Sequence, residues 1–115
     1  MEFKQDVKKL THQIKTGAIS MFDSKIDEAI VERFKTYEEI GERSSQNQQT
    51  EEDKIFNEEM KTFFNTLRNS CNIALKKEIY GKNAVENRFV EIIDMSAKCG
   101  EHLKKGYNTS NEQVF

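Results

Sequence analysis

Apolar residues recur every three or four positions along most of this chain, and no proline interrupts them. That spacing is typical of amphipathic α-helices, whose apolar stripe packs against a neighbouring element. Proline costs about 3 kcal/mol inside a helix, so its absence permits long helices. The pattern therefore predicts an all-α protein made of long helices with narrow apolar stripes and wide polar faces.

The first stripe predicts a long N-terminal helix over residues 2–42. Gly17 is its weakest point, because glycine costs about 1 kcal/mol relative to alanine in a helix interior. A serine side chain can cap free backbone N–H groups, so Ser24 is a possible start for a second helix. We favour one helix that bends near Gly17. Its stripe contains Phe3, Val7, Leu10, Ile14, Ala18, Met21, Phe22, Ile26, Ile30, Phe34, Tyr37 and Ile40.

A second helix is predicted after a segment, residues 43–50, that is polar throughout and is typical of a loop. Thr50 can cap a helix, and the three acidic residues that follow it favour the positive end of the helix dipole. Gly81 supplies an end, because glycine tolerates the left-handed backbone conformation. The predicted helix therefore covers residues 51–80.

A third helix is predicted over residues 84–105, where apolar and small residues step by four and three. Gly106 is the predicted stop, and residues 107–115 are predicted to form a flexible tail. The seam of this helix is Val85, Phe89, Ile92, Ser96, Cys99 and Leu103.

These elements predict one domain over residues 1–106, organised as a three-helix antiparallel bundle. The turn between the second and third helices is short, so they should form an antiparallel C-terminal hairpin. The long N-terminal helix then packs across that hairpin. The bundle has four helices if the N-terminal helix breaks.

Charge is unevenly distributed, although the formal net charge is only −2. Residues 38–59 contain eight acidic and two basic side chains, a net of −6, whereas residues 60–77 contain four basic side chains and no acidic one. The overall balance disfavours nucleic-acid binding. The basic segment is expected to be a core helix with a wet basic face, which disfavours peripheral membrane contact. No segment resembles a transmembrane span or a signal peptide, which predicts a cytoplasmic protein.

Reactive residues are sparse, and the sequence predicts neither a catalytic site, a metal site nor a cofactor. Cys71 and Cys99 are the only cysteines, and two thiols cannot form a four-ligand zinc site without both histidines. Both lie on apolar stripes and are expected to be small buried hydrophobic residues. In the predicted hairpin they are too far apart along the helices for a disulfide.

The segment His102-Leu-Lys-Lys-Gly106 resembles the His-x-x-Lys-Gly core of histidine phosphotransfer domains, which are also small helical bundles. There the histidine is exposed on a helix that continues past the glycine, and lysine and glycine give the phosphoryl group charge and room. His102, Lys105 and Gly106 match in type and spacing over five residues, although the helix is predicted to end at this glycine. The resemblance implies that His102 is a phosphoacceptor. His12-x-x-Lys15 is a partial match without the adjacent glycine.

The predicted function is that of a non-enzymatic helical protein–protein interaction module, such as an adaptor, an assembly subunit or a small regulator. Its partner would be another protein or a second copy of the chain. One alternative is a phosphotransfer-like signalling domain that uses His102, and another is an acidic inhibitor or immunity-type protein that uses residues 38–59. The same residues that could form the partner interface could instead form the bundle's own core. They are Val7, Leu10, Ile14, Phe22, Ile26 and Phe34.

Overall fold

The computed structural model describes residues 2–113, with the side chains of residues 2–109. This part of the chain contains five α-helices and no β-strand, which confirms the all-α prediction. The molecule is elongated, with extents of 54 × 24 × 19 Å. The helices are α1 (Val7–Thr16), α2 (Ser24–Glu32), α3 (Phe34–Ser45), α4 (Glu51–Lys77) and α5 (Lys82–Gln113).

The helices are arranged as four rods, because only Arg33 separates α2 from α3. The rod α2–α3 packs through α3 along α5, the most extensive contact between helices in the described chain. Helix α1 packs on α4, and a four-residue turn returns the chain from α4 to α5. The described chain is therefore a four-rod structure, the outcome expected if the N-terminal helix breaks.

That break corrects the prediction of one helix over residues 2–42, since α1 begins at Val7 and ends at Thr16. Gly17 adopts a left-handed conformation with φ 78°, and its N–H donates to the Ile14 carbonyl at 3.3 Å. Glycine takes this conformation without the steric cost that a Cβ imposes, so here it ends the helix rather than bending it.

The chain resumes a helix at Ser24, but the residue that caps it is Asp23. Its side chain accepts a hydrogen bond from the backbone N–H of Lys25 at 2.8 Å. Aspartate and serine are similarly good capping residues, so the sequence pattern alone does not distinguish adjacent candidates.

A buried arginine holds the turn between α1 and α2 in place. Arg88 Nε donates to the Met21 carbonyl oxygen at 2.8 Å, and Arg88 Nη2 lies 2.9 Å from Asp27 Oδ1. Although burial opposes the charge, the nearby carboxylates of Asp27 and Glu91 raise the pKa of Arg88. This contact joins α5 to a segment more than sixty residues earlier in the sequence.

A second buried arginine marks the junction of α2 and α3. Arg33 donates to the Ala29 carbonyl at 2.8 Å and to the Gln5 carbonyl at 2.6 Å. Its guanidinium lies over the Phe3 ring, 4.1 Å from the centroid, a favourable cation–π geometry. Burial lowers the pKa of Arg33. These contacts attach residues 3–5, which precede α1, to the junction of α2 and α3.

The predicted start of α4 is confirmed, and a capping box forms it. Thr50 Oγ1 accepts from the Asp53 N–H at 3.0 Å, while Asp53 Oδ2 accepts from the Thr50 N–H at 3.2 Å. Arg43 also forms a two-pronged ion pair with Asp53, at 2.8 and 2.7 Å. Because α3 continues to Ser45, the loop predicted at 43–50 is shorter than expected.

The predicted end of α4 is wrong. The helix ends at Lys77, and Glu78 adopts the left-handed conformation with φ 53°. Gly81 has no positive φ and lies immediately before α5, so it is not the stop. The left-handed conformation has a steric cost for glutamate that it does not have for glycine. The sequence therefore favoured Gly81 over Glu78 as the end of α4.

Helix α5 is much longer than the predicted 84–105, because it runs through Gly106 to Gln113. Residues 107–113 of the predicted flexible tail are therefore helical, while residues 114–115 lie outside the described part of the chain. Gly106 lies at a helix crossing instead of a helix end. A Cβ there would overlap the Glu38 carbonyl oxygen and lie 2.7 Å from its carbon.

Gly41 of α3 has the reciprocal position in the same crossing. A Cβ at Gly41 would overlap the Leu103 carbonyl oxygen and lie 3.0 Å from the Tyr107 nitrogen. The two glycines therefore allow the backbones of α3 and α5 to touch, a closer approach than ordinary helix packing at 8–10 Å. The predicted α5 seam faces this side: Val85, Ile92 and Cys99 are buried, and Phe89 and Leu103 pack partly buried against the core.

Candidate interaction surface

Helix α5 presents a second row of residues on the side that faces solvent. These residues step by three and four, as the buried seam does, so they share one face of the helix. Val90 is 56% exposed, Ile93 43% and Tyr107 45%. We call this face the outer row, and its members are Val90, Ile93, Ala97, Gly100, Lys104 and Tyr107, all exposed.

The outer row has small residues in the middle and larger ones at both ends. Ala97 and Gly100 form the middle, and nothing lies within 4 Å of a Cβ built at Gly100. A glycine inside a helix costs about 1 kcal/mol relative to alanine, and no contact within the chain explains that cost here. The row spans 18 residues from Val90 to Tyr107, and its ends are about 26 Å apart at a rise of 1.5 Å per residue.

A cleft at the C-terminal end of the outer row shows which helices border it. Gly100 and Tyr107 line this cleft together with Gly41 of α3 and Asn57 of α4. A rod laid along this end of the outer row would therefore also meet α3 and α4. The half of α4 that follows Met60 carries only basic charges, at Lys61, Arg68, Lys76 and Lys77.

The partner interface predicted from the sequence falls mostly inside the chain's own core. Val7, Leu10, Ile14 and Ile26 are buried, and Phe34 packs partly buried against the core. Their apolar side chains therefore pack in the core of this chain, which is the alternative role that the sequence allowed for them. Phe22 differs, since it is 37% exposed and its ring stacks edge-on against Tyr80 with centroids 5.2 Å apart.

His102 lies on the opposite side of α5 and belongs to a small polar cluster. Its Nδ1 is 2.6 Å from Glu38 Oε2, and Lys105 Nζ is 3.9 Å from Glu38 Oε1. The imidazole stacks on the Phe34 ring, with centroids 4.4 Å apart, and its side chain is 30% exposed. A carboxylate can only accept, so Nδ1 carries a proton and Nε2 is the remaining ring nitrogen.

The two cysteines are free and buried. Cys71 Sγ lies 3.6 Å from Met21 Sδ, and burial raises the pKa of Cys71. Burial raises the pKa of Cys99 to about 11. Both thiols therefore stay protonated at neutral pH, consistent with their expected role as small core residues. Among the described residues, no group of three or more histidine, cysteine, aspartate or glutamate side chains could hold a metal ion.

Several acidic side chains of the segment 38–59 have partners inside the chain. Glu38 contacts His102 and Lys105, and Asp53 is held by Arg43 and by the capping box. The Arg43 hydrogen bonds, with those from Thr50, lower the pKa of Asp53 although burial opposes them. Part of the negative charge therefore serves the helix ends and the contact between α3 and α5.

Comparison with known proteins supplies no assignment for this surface. Neither a protein-family model, nor a curated protein, nor a solved structure matches the chain. Within the described residues, no helix combines the length and the apolarity that crossing a bilayer requires.

The spacing of apolar residues predicted the buried seam of α5 but not the outer row. The signal was present, because Val90, Ile93, Ala97 and Gly100 have the same spacing as the seam. It was weak because two of these four side chains are small, and hydrophobic periodicity gives such residues little weight.

Proposed function

We propose that this chain is a non-enzymatic interaction protein whose outer row binds an amphipathic helix of a partner. The observation that carries the proposal is the continuous exposed row, with Val90, Ile93 and Tyr107 on one face of a long helix. A regular row of this kind has the spacing of a helix-in-groove contact, in which anchors repeat every three or four residues. Val90 and Ile93 are neighbours on this face, and neighbouring exposed apolar residues point to an interaction site more strongly than scattered ones.

The test uses purified, tagged chain as bait and two matched variants. Ile93→Glu places a charge in the outer row, whereas Val31→Glu places the same charge at an exposed apolar residue of α2, outside the row. We expect a binding partner, identified from extracts of the native cell and then purified, to lose at least tenfold in affinity with Ile93→Glu. It should bind Val31→Glu like wild type.

If neither extracts nor purified chain gave any association that Ile93→Glu weakens, the outer row would have no binding role. Circular dichroism of each variant checks that the fold is retained, which we expect because both positions are exposed.

A second candidate function, phosphotransfer through His102, is supported by one specific observation. Helix α5 continues past Gly106, as it does in the family that the segment resembles, and His102 is partly exposed. In this reaction Nε2 would attack the phosphorus of a donor's phosphohistidine, and a new P–N bond would form as the donor's P–N bond breaks. The backbone of Glu38 fills the space beside Gly106, which argues against room for a phosphoryl group there.

Incubation with a histidine kinase or a small phosphodonor tests the second candidate. An acid-labile label on wild type that disappears in His102→Ala and persists in His12→Ala would support it. No label on wild type would reject it. The His12 variant is a matched control because His12 has the partial motif without the glycine.

A further inference from the structure

We infer that the outer row binds the outer row of a second copy of this chain, with the two α5 helices antiparallel and crossing at Ala97 and Gly100. This inference rests on the function proposed above and specifies its partner. Contact between identical rows is an isologous interface, the commonest way in which a chain forms a closed dimer.

The shape of the row fits a crossing of two helices. Two crossing helices are closest at one point and separate on both sides of it. The smallest side chains, at Ala97 and Gly100, lie at the centre, and larger ones lie towards the ends. An antiparallel copy would place Ala97 beside Gly100 of the other copy, Ile93 beside its Lys104, and Val90 beside its Tyr107.

The molecule already contains a crossing of this kind between α3 and α5. There Gly41 and Gly106 let two backbones touch, and each glycine is closed by the opposite helix. Gly100 lies six residues before Gly106 on the same helix. It also lacks a side chain, but no other part of the chain lies within 4 Å of where its Cβ would be. A second copy would supply the missing neighbour.

Charge along α5 favours the antiparallel orientation. The exposed acidic residues Glu86 and Asp94 precede the centre of the row, and the exposed Lys104 follows it. Lys98 lies at the centre, and the exceptions are Glu101 and Lys82, of which Lys82 lies 3.9 Å from Glu86 of its own chain. In an antiparallel dimer, Lys104 of each copy lies next to Asp94 of the other copy, so the contact of opposite charges occurs twice. A parallel copy would place like charges together, which is unfavourable across an interface.

The first test is sedimentation equilibrium over a series of protein concentrations. We expect the mass to rise from 13.5 kDa towards twice that value. Gly100→Leu should weaken dimerisation at least tenfold because it keeps the backbones apart, and Ile93→Glu should do the same. Val31→Glu should dimerise like wild type. Gly100 has open space around it, so the leucine variant should still fold.

The second test determines the orientation by disulfide cross-linking under mild oxidation. Ala97→Cys should cross-link readily because the two copies of position 97 lie near the symmetry axis. Asn83→Cys is an exposed control on the same helix. In the antiparallel arrangement its two copies are about 46 Å apart along the helix, at 1.5 Å per residue, and should not cross-link. The native thiols are buried and do not compete.

Each outcome is decisive. A chain that is monomeric at every concentration, a dimer that neither row variant weakens, or equal cross-linking of both cysteine variants would overturn the inference. A monomeric chain that still binds a different protein through Ile93 would retain the proposed function while removing the second copy as its partner. A dimer with the expected variant pattern and selective cross-linking at position 97 would support both.

Discussion

The inner and outer faces of α5 use the same residue type in opposite surroundings. On the inner face, Gly106 is closed by the Glu38 backbone, so the missing side chain is accounted for by contact with α3. On the outer face, Gly100 is open, although it lies in the middle of a 32-residue helix. Contact with α3 therefore explains why residue 106 is a glycine, whereas no contact within the chain explains the glycine at residue 100.

This difference shows how the packing around a residue can indicate an interaction surface. A glycine weakens a helix by about 0.5 to 1 kcal/mol, and a close contact that leaves no room for a side chain explains why it is there. At Gly106 the chain itself provides that contact. At Gly100 the contact is missing within the chain, and the neighbouring exposed apolar residues indicate where a second protein surface would fit.

The largest expected effect comes from exchanging the two glycines for alanine. Gly106→Ala should lower the free energy of unfolding by more than about 3 kcal/mol, since its Cβ would overlap a backbone that cannot move independently. Gly100→Ala should raise it by about 0.5 to 1 kcal/mol. Urea denaturation followed by circular dichroism, at concentrations where the chain is monomeric, measures both. Similar effects of the two substitutions would contradict the distinction between the faces.

The adjacent isoleucines provide a second matched pair. Ile92 is fully buried and Ile93 is 43% exposed. Ile92→Ala should cost about 3 kcal/mol of stability because it leaves a cavity in the core. Ile93→Ala should change stability by less than about 0.5 kcal/mol, as expected for a surface position. The same urea denaturation experiment measures both changes in the free energy of unfolding. A large loss of monomer stability for Ile93→Ala would show that the outer row belongs to the core.

Thiol reactivity probes the inner face without any substitution. The raised pKa of Cys99, about 11, exceeds the ordinary thiol value by about two units, so its thiolate fraction near pH 8 is roughly a hundredfold lower. Ellman's reagent should react at least a hundredfold more slowly with native than with unfolded protein. Burial of the neutral thiol contributes stability that is fully present below about pH 9, and this contribution is lost as the pH rises towards 11. Fast reaction of both native thiols would show that the inner face opens.

The smallest effect concerns the anchoring of α3 against α4. Asp53→Asn should lower the free energy of unfolding by about 1 kcal/mol at pH 7, because it weakens the capping box and the Arg43 ion pair. The folded-state pKa of Asp53 is lowered, so its contribution is present above about pH 4 and is lost as pH falls through the lowered value. Glu52→Gln, an exposed acid in the same helical turn, is the control. A difference between Asp53→Asn and wild type that did not shrink as the pH fell below about 4 would contradict this account.

Much of the fold could be predicted because the relevant signals are local. Thr50 and the three acidic residues after it predicted the start of α4, and the spacing from Val85 to Leu103 predicted which face of α5 is buried. The glycines were the main source of error. Gly17, Gly81 and Gly106 were all read from their flexibility, yet only Gly17 has a positive φ.

The candidate site was less accessible from the sequence. The residues predicted as an interface, such as Leu10 and Ile26, have the same pattern whether they face a partner or another helix of the chain. Whether a row such as that of Val90 and Ile93 is left exposed depends on where α3 and α4 lie, which helical spacing does not specify.

The sequence by itself determined that the chain forms helices and which faces of them are apolar, because turn-by-turn spacing and caps act over a few residues. The tertiary structure decided that the first rod breaks at Gly17 rather than bending there, that Gly106 lies in a crossing, and that one row of α5 stays uncovered. Those features depend on contacts such as Arg88 with Met21 and Glu38 with Gly106, which join residues more than sixty positions apart.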